Sequence, residues 1–104
     1  MSHSRNIIAV DFDGTLCVNA FPKIGEPRKE VISALKSRIS TGARVILWTC
    51  RTGDYLHDAV RWCEAQGIFF DAVNDNLPDA VAEFSEPPRK ILASEYWDDK
   101  AVRV

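Results

Sequence analysis

Two aspartates one residue apart, in Asp11-Phe12-Asp13-Gly14-Thr15, follow directly on the apolar run Ile7–Val10, and two more, Asp98 and Asp99, close the last apolar run of the chain. On an extended backbone the side chains at i and i+2 share one side, so Asp11 and Asp13 face together while Phe12 points the other way, into a core. Carboxylates crowded at an apolar strand end repel each other unless a cation lies between them, and a few hard oxygen donors suit Mg²⁺. One acid in such a place reads as a helix cap or a solvated turn. Four acids gathered on one rim read as a site with a cation or a reaction to serve. Asp11 and Asp13 therefore read as a site for Mg²⁺, the expected cofactor, with Asp98 and Asp99 brought to the same rim.

The elements that must gather these residues follow from hydrophobic spacing. Residues 6–12 are a short, continuous apolar run ending in acid, the pattern of a strand buried on both faces of a parallel sheet. The next stretch, 13–27, holds two Gly and two Pro without sustained period. Its segment 14–26 is expected to be a flap loop too short for an inserted domain, with Phe21 and Ile24 as a local lid. From Pro27, Val31, Ile32, Leu35 and Ile39 lie on one helical face before Gly42.

Residues 44–49 form a second strand that delivers Thr49, Cys50 and Arg51. A helix is expected over 54–66, with Leu56, Ala59, Val60 and Cys63 as its stripe, then a strand over 68–73. A short helical stretch over 76–84 and a final strand over 91–97 complete the chain. This alternation predicts an α/β fold: a three-layer, Rossmann-like domain with a small parallel sheet and right-handed crossovers. Ligands in such sheets bind beyond the carboxyl ends of the strands, the edge that collects Asp11, Asp13, Thr49, Arg51, Asp98 and Asp99.

Composition excludes several alternatives. The 104 residues suffice for one domain with a core that needs no disulfide, here spanning 1–104 with residues 1–5 as a tail expected to fray. A net charge of −2 and 27% charged residues argue against disorder and against the basic stripe of a nucleic-acid binder. Cys17, Cys50 and Cys63 are odd in number and contain no C-x-x-C pair, which fits a reducing cytoplasm better than a disulfide or zinc framework. The apolar run near the N-terminus is too short for a signal or a membrane span, so a soluble, cytoplasmic protein is expected.

A cysteine phosphatase needs C-x5-R, yet the residues six beyond the three cysteines are Lys23, Leu56 and Phe69. Cys50 is expected to be a small buried residue, and Trp48, Trp62 and Trp97 to pack helices against the sheet. His57 shares a helical face with Arg61 and Glu64 and is expected to face solvent. Asn74, Asp75 and Asn76 read as a turn after the third strand, with substrate contact as the other reading. Gly14 permits dihedrals that would let the main-chain N–H groups from Phe12 to Thr15 form a nest for a phosphoryl group.

DFDGT after a hydrophobic strand, Thr49 at the end of ILWTCR, a later lysine and a closing Asp-Asp pair together resemble the four motifs of the haloacid dehalogenase superfamily, over residues 6 to about 101. The resemblance implies a phosphomonoester hydrolase in which Asp11 attacks phosphorus to form an aspartyl-phosphate and Asp13 serves as general acid and base. It implies Mg²⁺ held by the Asp11 carboxylate, the Asp13 main-chain carbonyl and the closing pair, Asp99 directly and Asp98 behind it. Thr49 would bind a phosphoryl oxygen through its hydroxyl and main-chain N–H.

Lys90 is the best match for the superfamily's lysine. Were 91–97 fully extended, however, Lys90 would sit about 25 Å from Asp98. Lys90 therefore serves only if the strand is confined to about 95–97 and residues 87–94 fold back across the rim. Arg51 or Lys100 is the fallback cation for the phosphate.

Neither gap between motifs holds a cap domain. A capless site implies a large phosphorylated substrate, such as a saccharide, a polynucleotide end or a protein, or a small one such as a nucleotide enclosed by a homo-oligomer. The superfamily's fifth strand is expected to be missing. A phosphotransferase is the competing enzyme reading, and a phosphate-accepting or Mg²⁺-binding signalling or scaffold module without turnover is the reading from another class.

Overall fold

The computed structural model describes residues 6–75 and 93–98 and the backbone of 102–103. The tail 1–5, the helical stretch expected over 76–84, Asn76, Lys90, Asp99 and Lys100 lie outside the described residues. In chain order the elements are β1 (Ile7–Val10), β2 (Cys17–Ala20), β3 (Lys23–Pro27), α1 (Lys29–Ser40), β4 (Arg44–Leu47), α2 (Gly53–Ala65), β5 (Ala72–Val73), β6 (Glu95–Trp97) and β7 (Val102–Arg103).

All four side chains of β1 are buried, as the unbroken apolar run requires. The strand lies mid-sheet in the order β5-β4-β1-β6-β7, parallel to β4 on one side and to β6 on the other. The chain moves from β1 to β4 to β5 in one direction and then returns to place β6 on the other side of β1. The gap between β1 and β6 is thus the topological switch point, where open α/β sheets bind ligands.

Ile8, Val10, Val45 and Leu47 share one core cluster with Ile32 and Leu35 of α1 and Ala59 and Cys63 of α2, so both helices cover the same sheet face. Phe12 is fully buried there and meets Trp62 edge-on, with ring centroids 5.5 Å apart. Burial of a side chain of this size stabilises by roughly 1.5–3 kcal/mol. Ile7, Ala9 and Ile46 form a separate cluster on the opposite face.

Several expectations are corrected. The 14–26 segment contains a β-hairpin, β2 against β3, where a loop was expected. The two prolines that argued against regular structure sit where a hairpin tolerates them, Pro22 in the turn and Pro27 at a strand end. Gly25 lies close against Val18, where an added Cβ would stand 2.0 Å from the Val18 carbonyl oxygen. The sheet has a fifth strand, and that strand is antiparallel: β7 pairs with β6 as Tyr96↔Arg103 and Trp97↔Val102.

The third and fourth parallel strands are shorter than their apolar runs, reduced to Ala72–Val73 and Glu95–Trp97. Ahead of β5, Asp71 turns its carboxylate back to accept the Val45 N–H at 2.7 Å. Ahead of β6, the Ser94 hydroxyl accepts from the Ile7 N–H and donates to the Ile7 carbonyl, at 3.2 and 3.0 Å. In both places the backbone still bonds the strand carbonyl, and a side chain takes the strand N–H that a further ladder rung would have bonded.

One ion pair ties α1 to β6. Glu95 is 8% exposed; its carboxylate receives both Nη groups of Arg38 and, at 3.3 Å, the Trp97 indole N–H. The Arg38 hydrogen bonds hold the Glu95 carboxyl below its ordinary range, against the opposing effect of burial. A carboxyl depressed in the folded state stabilises above its unfolded pKa, about 4.3, and that stabilisation is lost as pH falls through the lower folded value. Because the Arg38 side chain is 39% exposed, solvent screens the pair.

Glu95→Gln is therefore expected to lower stability at pH 7 by about 1–2 kcal/mol. It should also flatten the loss of stability below pH of about 4.3. Urea denaturation of both proteins at pH 7 and at pH 3.5 measures this; equal losses on acidification would remove Glu95 as the source.

Candidate active site

Register sets the site. Val10 is the partner of both Leu47 and Trp97, so three neighbouring strands end at one level. The ladder continues one step further, with the Trp48 N–H bonded to the Val10 carbonyl and the Asp11 N–H to the Trp97 carbonyl, both at 2.9 Å. Asp11, Thr49 and Asp98 then emerge side by side and, with Ala9, Trp48, Cys50, Tyr96 and Trp97, line a cleft of about 380 Å³. Its floor is sheet, its polar groups are strand ends, and much of the remaining wall is aromatic.

The Asp11 carboxylate accepts the N–H of Phe12 at Oδ1, 2.8 Å, which orients it where the strand stops. Beyond Phe12 the chain turns, with the Thr15 and Leu16 N–H groups both on the Phe12 carbonyl and the Gly14 N–H on the Cys17 carbonyl. Gly14 has φ +86°, a conformation that a side chain would strain. The nest expected from Phe12 to Thr15 is corrected accordingly: three of its four N–H groups, those of Phe12, Gly14 and Thr15, are bonded within the loop. The Thr15 hydroxyl is buried and makes no hydrogen bond among the described residues.

Asp13 differs most from expectation. Its carboxylate is taken by Arg51, whose Nε and Nη2 bond Oδ2 and Oδ1 at 2.8 Å each. Once the chain turns, the two-residue period that would have set Asp11 and Asp13 side by side no longer applies. Arg51, the fallback phosphate cation, is likewise corrected to an internal partner: its side chain is 1% exposed, and the Asp13 hydrogen bonds raise its pKa further. Among the described residues no group of three or more His, Cys, Asp or Glu side chains is arranged to hold a metal ion. Among the described residues Asp11 and Asp98 are the two carboxylates on the cleft; Asp99 and Lys90 lie outside the described residues.

The Thr49 hydroxyl accepts the Arg51 N–H at 3.2 Å, while the Thr49 N–H is bonded to Asn74 Oδ1 at 2.8 Å. The hydroxyl proton remains the donor that Thr49 can offer a ligand; its main-chain N–H, expected to bind phosphoryl oxygen, does not play that part. Asn74, with φ 53°, is thus a brace between strand ends, a role its place in a polar turn only half announced.

His57 is exposed, as expected from its helical face. Trp48 is 49% exposed on the cleft, and Cys50 is exposed, where burial was expected of both. The strand ends at Leu47, so these residues belong to the rim and not to the core. Sequence reasoning missed the aromatic wall for that reason; the apolar run through Trp48 carries no mark of where pairing stops.

Cys17 and Cys63 are buried, and burial raises both thiols, Cys63 to about 12. Since the thiolate is the reacting form, one thiol equivalent, that of Cys50, is expected to react promptly with an aromatic disulfide reagent at pH 8, and the other two only on unfolding. A Cys50→Ser variant that still releases a prompt equivalent would contradict this assignment.

No family model and no curated protein matches the sequence. Among solved structures, a conserved protein from Bacteroides thetaiotaomicron is similar, with 39% identity and a TM-score of 0.77 over 90% of this chain and 75% of that one. Identity at that level over most of both chains means common descent as well as common fold, and the chain belongs to the same family as this conserved Bacteroides thetaiotaomicron protein.

Proposed function

We propose that the chain is a Mg²⁺-dependent phosphomonoester hydrolase of the haloacid dehalogenase type, with Asp11 as its nucleophile. The observation that supports this reading best is the convergence of Asp11, Thr49 and Asp98 on one cleft at the switch point between β1 and β6. An anionic nucleophile attacking a phosphate dianion needs positive charge beside it, and two carboxylates on one rim suit a hard cation that keeps most of its water. Asp11 and Asp98 would hold Mg²⁺, which would neutralise the phosphoryl oxygens.

In this reading an Asp11 carboxylate oxygen bonds to phosphorus while the bond to the leaving oxygen breaks, its electron pair staying with that oxygen. For this step Asp13 must carry a proton and turn one oxygen away from Arg51; it then gives that proton to the leaving oxygen. Thr49 donates its hydroxyl to a phosphoryl oxygen. Asp13, now a carboxylate, takes a proton from water as the water oxygen bonds to phosphorus. The bond to Asp11 then breaks, releasing inorganic phosphate and restoring both aspartates.

A second reading, a module that accepts phosphate without turning it over, draws support from one contact. Arg51 occupies both oxygens of Asp13, and an acid so held is poorly placed to protonate a leaving group.

Phosphate release from an aryl phosphate separates the readings. Turnover is expected with Mg²⁺, to be lost with a chelator and in Asp11→Asn, and to fall about 10²–10⁴-fold in Asp13→Asn on an alkyl phosphate. Undiminished hydrolysis by Asp11→Asn would remove the nucleophile assignment. A stable phosphoryl-protein without turnover would favour the second reading.

A further inference from the structure

We infer that Arg51 is a positioning residue that couples the β2–β3 flap to Asp13, so that the flap sets when Asp13 is aimed for proton transfer. The inference rests on the hydrolase reading above, and it starts from the completeness of the Arg51 environment. Nε and Nη2 fork onto Asp13 at 2.8 Å each, Nη2 also donates to the Lys23 carbonyl at 2.9 Å, and Nη1 donates to the Pro22 carbonyl at 3.3 Å. The guanidinium carbon stands 5.0 Å from the ring centres of both Phe12 and Phe21.

Three segments meet on this one cation: the DFDGT turn through Asp13 and Phe12, the flap turn through Phe21, Pro22 and Lys23, and the loop that also carries Thr49. Two of its acceptors and one of its rings belong to the flap. A buried guanidinium cannot lose them without a replacement, because an unpaired buried charge costs several kcal/mol. If the flap turn lifts, Arg51 must follow it toward water or tighten onto Asp13, and either motion changes the carboxylate on which proton transfer depends. The flap turn itself is open to solvent, with Phe21 53% exposed and packed edge-on against Tyr55 at 5.3 Å.

The coupling predicts a dependence on leaving group that a purely structural arginine would not produce. A good leaving group such as p-nitrophenolate departs without a proton, whereas an alkoxide needs one. Arg51→Lys keeps the charge and loses the fork. Its aryl-to-alkyl ratio of kcat/KM is expected to rise at least about tenfold over wild type, since general-acid help contributes about 10²–10⁴. Phe21→Ala removes one flap contact without touching Asp13 and guards against misfolding in the first variant. It is expected to shift the ratio in the same direction by about threefold, and in the double variant the two effects are expected to be non-additive.

Amide hydrogen exchange in residues 17–25 is expected to quicken in both variants. Equal losses on both substrates, an unchanged ratio, or unchanged exchange in the flap would each overturn the coupling while leaving the hydrolase reading standing. Wild-type protein that hydrolyses neither ester would overturn the hydrolase reading, and the coupling with it.

Discussion

A four-residue strand with every side chain buried can place polar chemistry only at its ends, and that constraint organises this protein. β1 has neighbours on both edges and apolar clusters on both faces, so the first residue able to carry a charge toward solvent is Asp11. Parallel pairing brings the corresponding residues of β4 and β6 to the same level. Asp98 arrives beside Asp11 because the last parallel strand docks against the first. Residues from the two ends of the chain therefore meet through sheet register, independently of any attraction between their side chains.

The loops then decide what each rim residue can do. Asn74 takes the Thr49 N–H, Phe12 gives its own N–H to Asp11, and Arg51 takes both oxygens of Asp13. Each of these bonds has an electrostatic consequence. Pairing Asp13 with a buried cation removes one negative charge from the group of acids that sequence spacing would crowd together, leaving Asp11 and Asp98 as the described carboxylates on the cleft. The charge of a divalent cation matches that of two carboxylates.

The architecture was legible where hydrophobic period and chain geometry agree. α1 and α2 lie within two residues of the spans read from their apolar stripes, and β1 and β4 lie within their runs but stop two residues before the ends of them. The expectation of a Rossmann-like α/β fold stands in its coarse form, a parallel β5-β4-β1-β6 array with helices packed on it. Asp11, Thr49 and Asp98 were placed on a common edge by the rule for strand ends alone. The hairpin was not legible, because Gly25 and Pro22, which read as breakers, serve a tight turn and a close strand approach. Nor was β7 legible, since two residues carry no period.

Arg51 was misread for a different reason. Sequence position put a cation two residues past Thr49, and the natural inference was a phosphate ligand. What position could not reveal is which acceptors a five-donor fork would find first. In the fold it finds Asp13 and two flap carbonyls before it finds solvent, at a side-chain exposure of 1%. Had the flap been absent, the fork onto Asp13 would remain and only the donors now on the Pro22 and Lys23 carbonyls would be left to water. The hairpin, too small to be a domain, thereby changes the chemistry of the rim: it helps turn a cation into an internal strut and gives Asp13 a partner whose other acceptors are the hairpin's own carbonyls. The position of the Asp13 carboxylate is thus tied to the hairpin as well as to the DFDGT turn, through one buried cation whose remaining acceptors are hairpin carbonyls.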